Sequence, residues 1–151
     1  MKPIFVFPFS LLLSIPAFAA DAWRINTQGV GVVNENEDAL VSAALYKFDD
    51  GKVALALTDQ SSSEQSRDDD CNASRKVILP VNNQHVRFVK RVSDSAGDDV
   101  ACAYIPVGDR ANAYIIEQFK RSNTVKIGGW KFSGMNFTDT YNTVAAQSGA
   151  L

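Results

Sequence analysis

The chain has 151 residues, of which 46% are hydrophobic and 21% charged, and a formal net charge of −2. That balance excludes a disordered tail and a large multidomain enzyme, and 15 basic against 17 acidic residues exclude the electrostatic footprint of a nucleic-acid binder. A chain of this size buries about two thirds of its unfolded surface, enough core to stand without a metal.

In chain order, the first element is a leader. Lys2 is followed by an apolar run from Ile4 to Ile15 and by Ala17-Phe18-Ala19. This layout predicts a secretory signal peptide over 1–19, with a mature domain over 20–151. A membrane anchor needs about 20 uninterrupted apolar residues, whereas this run is shorter, carries Pro8, is followed by Pro16, and gives way to a polar segment starting at Asp21. No later window is long and apolar enough to span a bilayer, so no transmembrane segment is expected after cleavage.

Alternation with a period of two and β-branched residues mark the following strands. Trp23 to Asn26 begins one, and Val30 to Val33 reads as its continuation after Gly29. Leu40 to Phe48 and Lys52 to Thr58 flank Asp49-Asp50-Gly51, which has hairpin turn chemistry because glycine takes positive φ without steric cost. Ala43, Leu45, Val53, Leu55 and Leu57 then form one apolar face. Asp59 to Ser74 is polar and reads as a long loop; loops of this length are often functional. Arg75 to Val81 and Gln84 to Val92 predict another strand pair, Ser93 to Asp99 an acidic turn, and Val100 to Ile105 a short strand. After Gly108-Asp109, Ala113, Ile116 and Phe119 fit one side of a helix. A last hairpin is expected around Gly128-Gly129. Thr138 reads as the N-cap of a terminal helix in which Tyr141, Val144 and Ala145 keep helical spacing. The sum is a mainly β fold, a small antiparallel β-sandwich or partial barrel with one or two short helices, in a single domain.

Cys71 and Cys102 are the two cysteines. An exported chain meets an oxidising compartment, so they are expected to form a structural disulfide. With a single histidine and no C-x-x-C pair, a four-ligand zinc site is not expected.

Asp68, Asp69 and Asp70 precede one cysteine, and Asp94, Asp98 and Asp99 precede the other. A bridge brings the two runs together as candidate binding loops. Calcium prefers such oxygen ligands, but the spacing is not that of an EF-hand loop, and crowded carboxylates repel unless solvated. Solvated loops with no metal are therefore expected. On an extended strand His85, Arg87 and Arg91 share a face opposite Val86, Phe88 and Val92, a candidate basic face for an acidic partner or a phosphate group. No catalytic residue is assigned: Gly-x-Ser-x-Gly and the phosphate-loop spacing are both absent, and no cofactor is expected. Trp130, Phe132, Phe137 and Tyr141 read as core and hairpin packing. Asn72-Ala73-Ser74 and Asn136-Phe137-Thr138 match the glycosylation tripeptide.

Cys102-Ala103-Tyr104-Ile105, the segment through Phe119-Lys120, Thr124-Val125-Lys126-Ile127, and Phe132-Ser133-Gly134-Met135-Asn136-Phe137 ahead of a short helix together resemble the closing third of the invasion-associated locus B-type bacterial periplasmic proteins. The resemblance extends to size, signal peptide and an early tryptophan. It implies a β-rich periplasmic binding domain. The chain departs from that pattern at Asn136-Phe137, where a Gly-Phe pair is usual, and in its sparser cysteines.

The expectation is a non-catalytic, exported binding protein of the bacterial envelope, periplasmic or secreted. Its partner is expected to be a protein or another envelope component, as for an inhibitor, immunity protein or accessory factor. The alternatives are a small envelope hydrolase and a structural subunit of a surface assembly.

Overall fold

A computed structural model of the protein describes residues 21–37, 40–60, 71, 75–93 and 101–147. The leader expected over 1–19, most of the long polar loop and the acidic turn lie outside the described residues.

Strands β1 (Arg24–Ile25), β2 (Gly31–Asn34), β3 (Val41–Lys47) and β4 (Val53–Asp59) follow one another as an antiparallel meander. A hairpin of β5 (Arg75–Val81) and β6 (Gln84–Ser93) comes next, then β7 (Ala101–Pro106) and helix α1 (Asp109–Arg121). The chain finishes with a second hairpin, β8 (Thr124–Ile127) and β9 (Trp130–Ser133), and helix α2 (Phe137–Ala146). Among the described residues the nine strands make one antiparallel sheet in the order β1-β2-β3-β4-β7-β6-β5-β8-β9, curled into a half-barrel. The mainly β partial barrel expected from the sequence is the observed fold.

The curl brings the two ends of the sheet together. Glu35 forms an isolated bridge with Phe132, Asn36 N–H donates to the Lys131 carbonyl at 2.9 Å, and the Glu35 carboxylate accepts from Lys131 N–H at 3.0 Å. Burying a carboxylate is costly unless donors meet it, and here Glu37 N–H supplies a second at 2.7 Å. The concave side holds the core. Val41, Ala43, Leu45, Leu55, Leu57, Phe88, Ile115, Phe119, Phe132 and Phe137 are all buried there. Trp23 lies 1% exposed and donates its indole N–H to the Ser133 carbonyl at 2.9 Å. Its ring meets Phe119 and Phe137 edge-on at 5.2 and 5.0 Å, the arrangement the aromatic quadrupole favours. The tight fit extends to the backbone. A Cβ on Gly134 would lie 1.9 Å from the Ser122 carbonyl oxygen, where the chain leaving β9 passes the end of α1.

Cys71 and Cys102 form the expected disulfide, both buried, with Cα atoms 5.7 Å apart. Cys102 stands opposite Asp59 of β4 and Val92 of β6, so the bridge fastens the seam where β7 joins the meander to the hairpin. Closing a loop across a sequence separation of 31 stabilises the fold by about 3 to 4 kcal/mol in the chain-entropy account.

Three local expectations are corrected. The Val30 to Val33 segment does not continue the first strand, since Gly31–Asn34 turns back antiparallel on β1: the Asn26 side-chain oxygen accepts from Gln28 and Val30 N–H, and Gly29 takes φ +77°. On α1 the buried side is Ile115, Ile116 and Phe119, and Ala113 faces solvent. Helix α2 begins earlier than a Thr138 cap requires, with Asn136 in the left-handed region at φ 61° as the residue before Phe137. Asn136 instead donates its side-chain amide to the Trp23 carbonyl at 3.0 Å.

Candidate functional site: a basic groove at the end of β7

The site arises because β7 is shorter than its neighbours. Pairing between β4 and β7 runs from Leu57 opposite Tyr104 to Asp59 opposite Cys102, and pairing between β6 and β7 starts at Phe88 opposite Pro106. The beginnings of β4 and β6 therefore extend past the point where β7 ends. Gly108, at φ +85°, turns the chain away there, a conformation that side chains other than glycine rarely adopt. The first turns of α1 descend into the gap.

The two sides of the gap are finished differently. Towards β4, the Asn112 amide acts as a piece of strand: its oxygen accepts from Leu55 N–H and its nitrogen donates to the Val53 carbonyl, both at 2.9 Å. Asp109 also leans this way, with both carboxylate oxygens 3.3 Å from Lys52 Nζ. Towards β6, a cavity of about 580 Å³ remains open to solvent. Gln84, His85, Val86 and Arg87 form its sheet wall, and Val107, Arg110, Ala111 and Tyr114 the opposite wall. Val86 is buried, Tyr114 is half-buried with its hydroxyl donating to the Val81 carbonyl at 3.3 Å, and His85, Arg87 and Arg110 are exposed.

Among the described residues the lining has two guanidinium groups, an imidazole and a phenol, and no carboxylate or thiol. Among them too, neither Arg87 nor Arg110 has an ion pair, since Asp109 is engaged by Lys52 and Glu117 by Arg121 at 2.9 Å. Guanidinium forks match carboxylate and phosphate oxygens bidentately, so the chemistry on offer is recognition of an anion.

His85, Arg87 and Arg91 do share the solvent face of β6, with Val86 and Phe88 buried behind them. The structure nevertheless divides the triplet. Arg91 borders a second hollow of about 250 Å³ on the outer side of the sheet, floored by Ala54, Ala56 and Ala103 and flanked by Tyr46, Phe48 and Ile105. Burial there raises the Tyr46 phenol above its ordinary pKa near 10. Asp68, Asp69, Asp70, Asp94, Asp98 and Asp99 lie outside the described residues, and among the described ones no group of three or more metal-binding side chains forms. Sequence reasoning missed Arg110 and Tyr114. Their positions on α1 carried no sign of which strand they would face.

Comparison with known protein families, curated proteins and solved structures finds no match to this chain.

Proposed function

We propose that the protein is a non-catalytic binding protein that holds an acidic ligand in the groove between β6 and α1. The observation that carries this reading is the convergence of His85, Arg87 and Arg110 on one 580 Å³ cavity whose described lining lacks any carboxylate. The Arg87 and Arg110 guanidinium groups, placed without counter-ions among the described residues, repel one another, and a ligand that brings carboxylates relieves that repulsion. Export to the periplasm or beyond belongs to the same proposal. It is supported by the leader-like residues 1–19, by the buried disulfide, which suits an oxidising compartment, and by the resemblance to the locus B-type periplasmic proteins.

Titration of a labelled oligoglutamate into the mature protein tests the groove. Arg87→Gln and Arg110→Gln are each expected to weaken binding by about tenfold, the scale of one charge-assisted hydrogen bond. The apparent affinity should also fall as salt rises, because the groove is open to solvent. Unaltered binding in both variants would remove the groove from the function.

A further inference from the structure

The groove offers more than charge. Across the β5–β6 hairpin, Pro80 stands opposite His85, and proline has no N–H to give. Two residues further along, the Arg87 carbonyl accepts from Val107 N–H at 2.9 Å, on the side away from β5. In an antiparallel strand the N–H and C=O of one residue point the same way and alternate from residue to residue. The backbone N–H and C=O of His85 therefore also point away from β5, into the space that β7 would occupy had it not ended at Pro106.

We infer that the edge of β6 over residues 84–86, centred on the outward-facing His85 backbone and ending where Val107 engages Arg87, is a docking slot for an extended acidic peptide, which adds to the sheet as a short strand in the place where β7 stops. This rests on the acidic-ligand reading above and deepens it by naming the ligand's form. Three observations converge. The edge is open from Gln84 to Val86, before Val107 engages Arg87, which admits a strand segment of about 10 Å. The equivalent edge of β4 is filled by the Asn112 amide, so the fold satisfies one side of the gap and leaves the other with strand hydrogen bonds to give. The charged groups lining the slot among the described residues are the Arg87 and Arg110 guanidinium groups, which select against basic segments.

The same geometry sets the sequence pattern of the ligand. Side chains of an added strand alternate between faces. One set meets His85 and Arg87 on the solvent face and is acidic, and the other meets Val86, Ala111 and Tyr114 and is apolar. The expected motif is an alternation of Glu or Asp with Val or Ile, with backbone bonds to His85 supplying affinity and the guanidinium groups supplying choice.

The test uses the mature protein and the blocked peptide acetyl-Val-Glu-Val-Glu-Val-amide, read by calorimetry, beside the same peptide N-methylated at its central amides. The unmodified peptide should bind, N-methylation should cost about tenfold or more, and hydrogen exchange at the His85 amide should slow on binding. Arg87→Gln should weaken binding while leaving the thermal midpoint in place. Equal binding of the two peptides, or displacement of the peptide by inorganic phosphate at the same concentration, would overturn strand addition and leave the acidic-ligand reading standing. Failure of both peptides and of oligoglutamate to bind would overturn both.

Discussion

Two parts of the half-barrel are finished in opposite ways. Where α2 packs against the meander, the elements interlock. Trp23 is locked between Phe119 and Phe137, a Cβ on Gly31 would strike Thr140 of the helix at 2.7 Å, and Lys47 Nζ donates to the Ala145 carbonyl at 2.8 Å and to the Gln147 carbonyl. A cation on the last carbonyls of a helix satisfies both the orphan acceptors and the dipole. Where β7 ends and α1 begins, the sheet gapes, Arg87 and Arg110 have no counter-ion among the described residues, and the start of β6 borders an open groove. Stability is concentrated where the elements interlock, and the capacity to bind lies where the interlocking stops.

Three substitutions bear on that contrast. The largest effect is expected in the interlocked part. Trp23→Ala empties a site at the centre of an aromatic cluster and should cost about 3 to 5 kcal/mol in a denaturant-unfolding measurement. Groove binding measured well below the unfolding midpoint should be retained. If that variant lost binding in step with stability, the two parts would not be separable.

An intermediate effect is expected at Asn112, which sits in the gap but serves β4. Asn112→Ala strands Leu55 N–H and the Val53 carbonyl and should cost about 1 to 3 kcal/mol. Peptide affinity at the β6 edge should change little. A gain of a second, weaker peptide site in this variant would sharpen the contrast, because it would show that Asn112 occupies on one side what a ligand occupies on the other.

The smallest effect belongs to the outer face of the sheet, at Tyr46. Burial raises the Tyr46 pKa, so the folded state holds that proton more tightly than the unfolded chain does. The resulting stability is fully present below pH 10, the ordinary value, and is lost as pH rises through the higher folded value. Tyr46→Phe should flatten this alkaline decline in thermal midpoint without altering peptide binding near neutral pH.

Much of the fold was legible in the sequence because it is local. Asp49-Asp50-Gly51, Asn82-Asn83 and Gly128-Gly129 each join strands that pair with their immediate neighbours, so turn chemistry and alternation were sufficient. The errors fall where a side chain does something that its type does not announce. Asn26 folds a turn in a stretch that reads as a pause within one strand, and Asn136 takes a left-handed conformation ahead of α2 where Thr138 has the better capping chemistry. The groove was half legible. His85 and Arg87 follow from alternation along β6, but Arg110 joins them only because β7 ends at Pro106 and Gly108 redirects the chain, and nothing in the composition of either segment encodes that encounter. Arg91 shares that alternating solvent face, but the length of the strand carries it to a second hollow.

The hydrogen bond from the Trp23 indole to the Ser133 carbonyl spans 110 positions of the chain. Its consequence concerns time during synthesis. The early meander can pair as it emerges, but its tryptophan has no finished pocket until β9 and α2 have also appeared. Chains whose closing contacts join distant segments pay the loop-closure entropy late and fold slowly. Until those segments are present, Trp23 lacks the Ser133 carbonyl and the Phe137 ring that hold it in the folded chain.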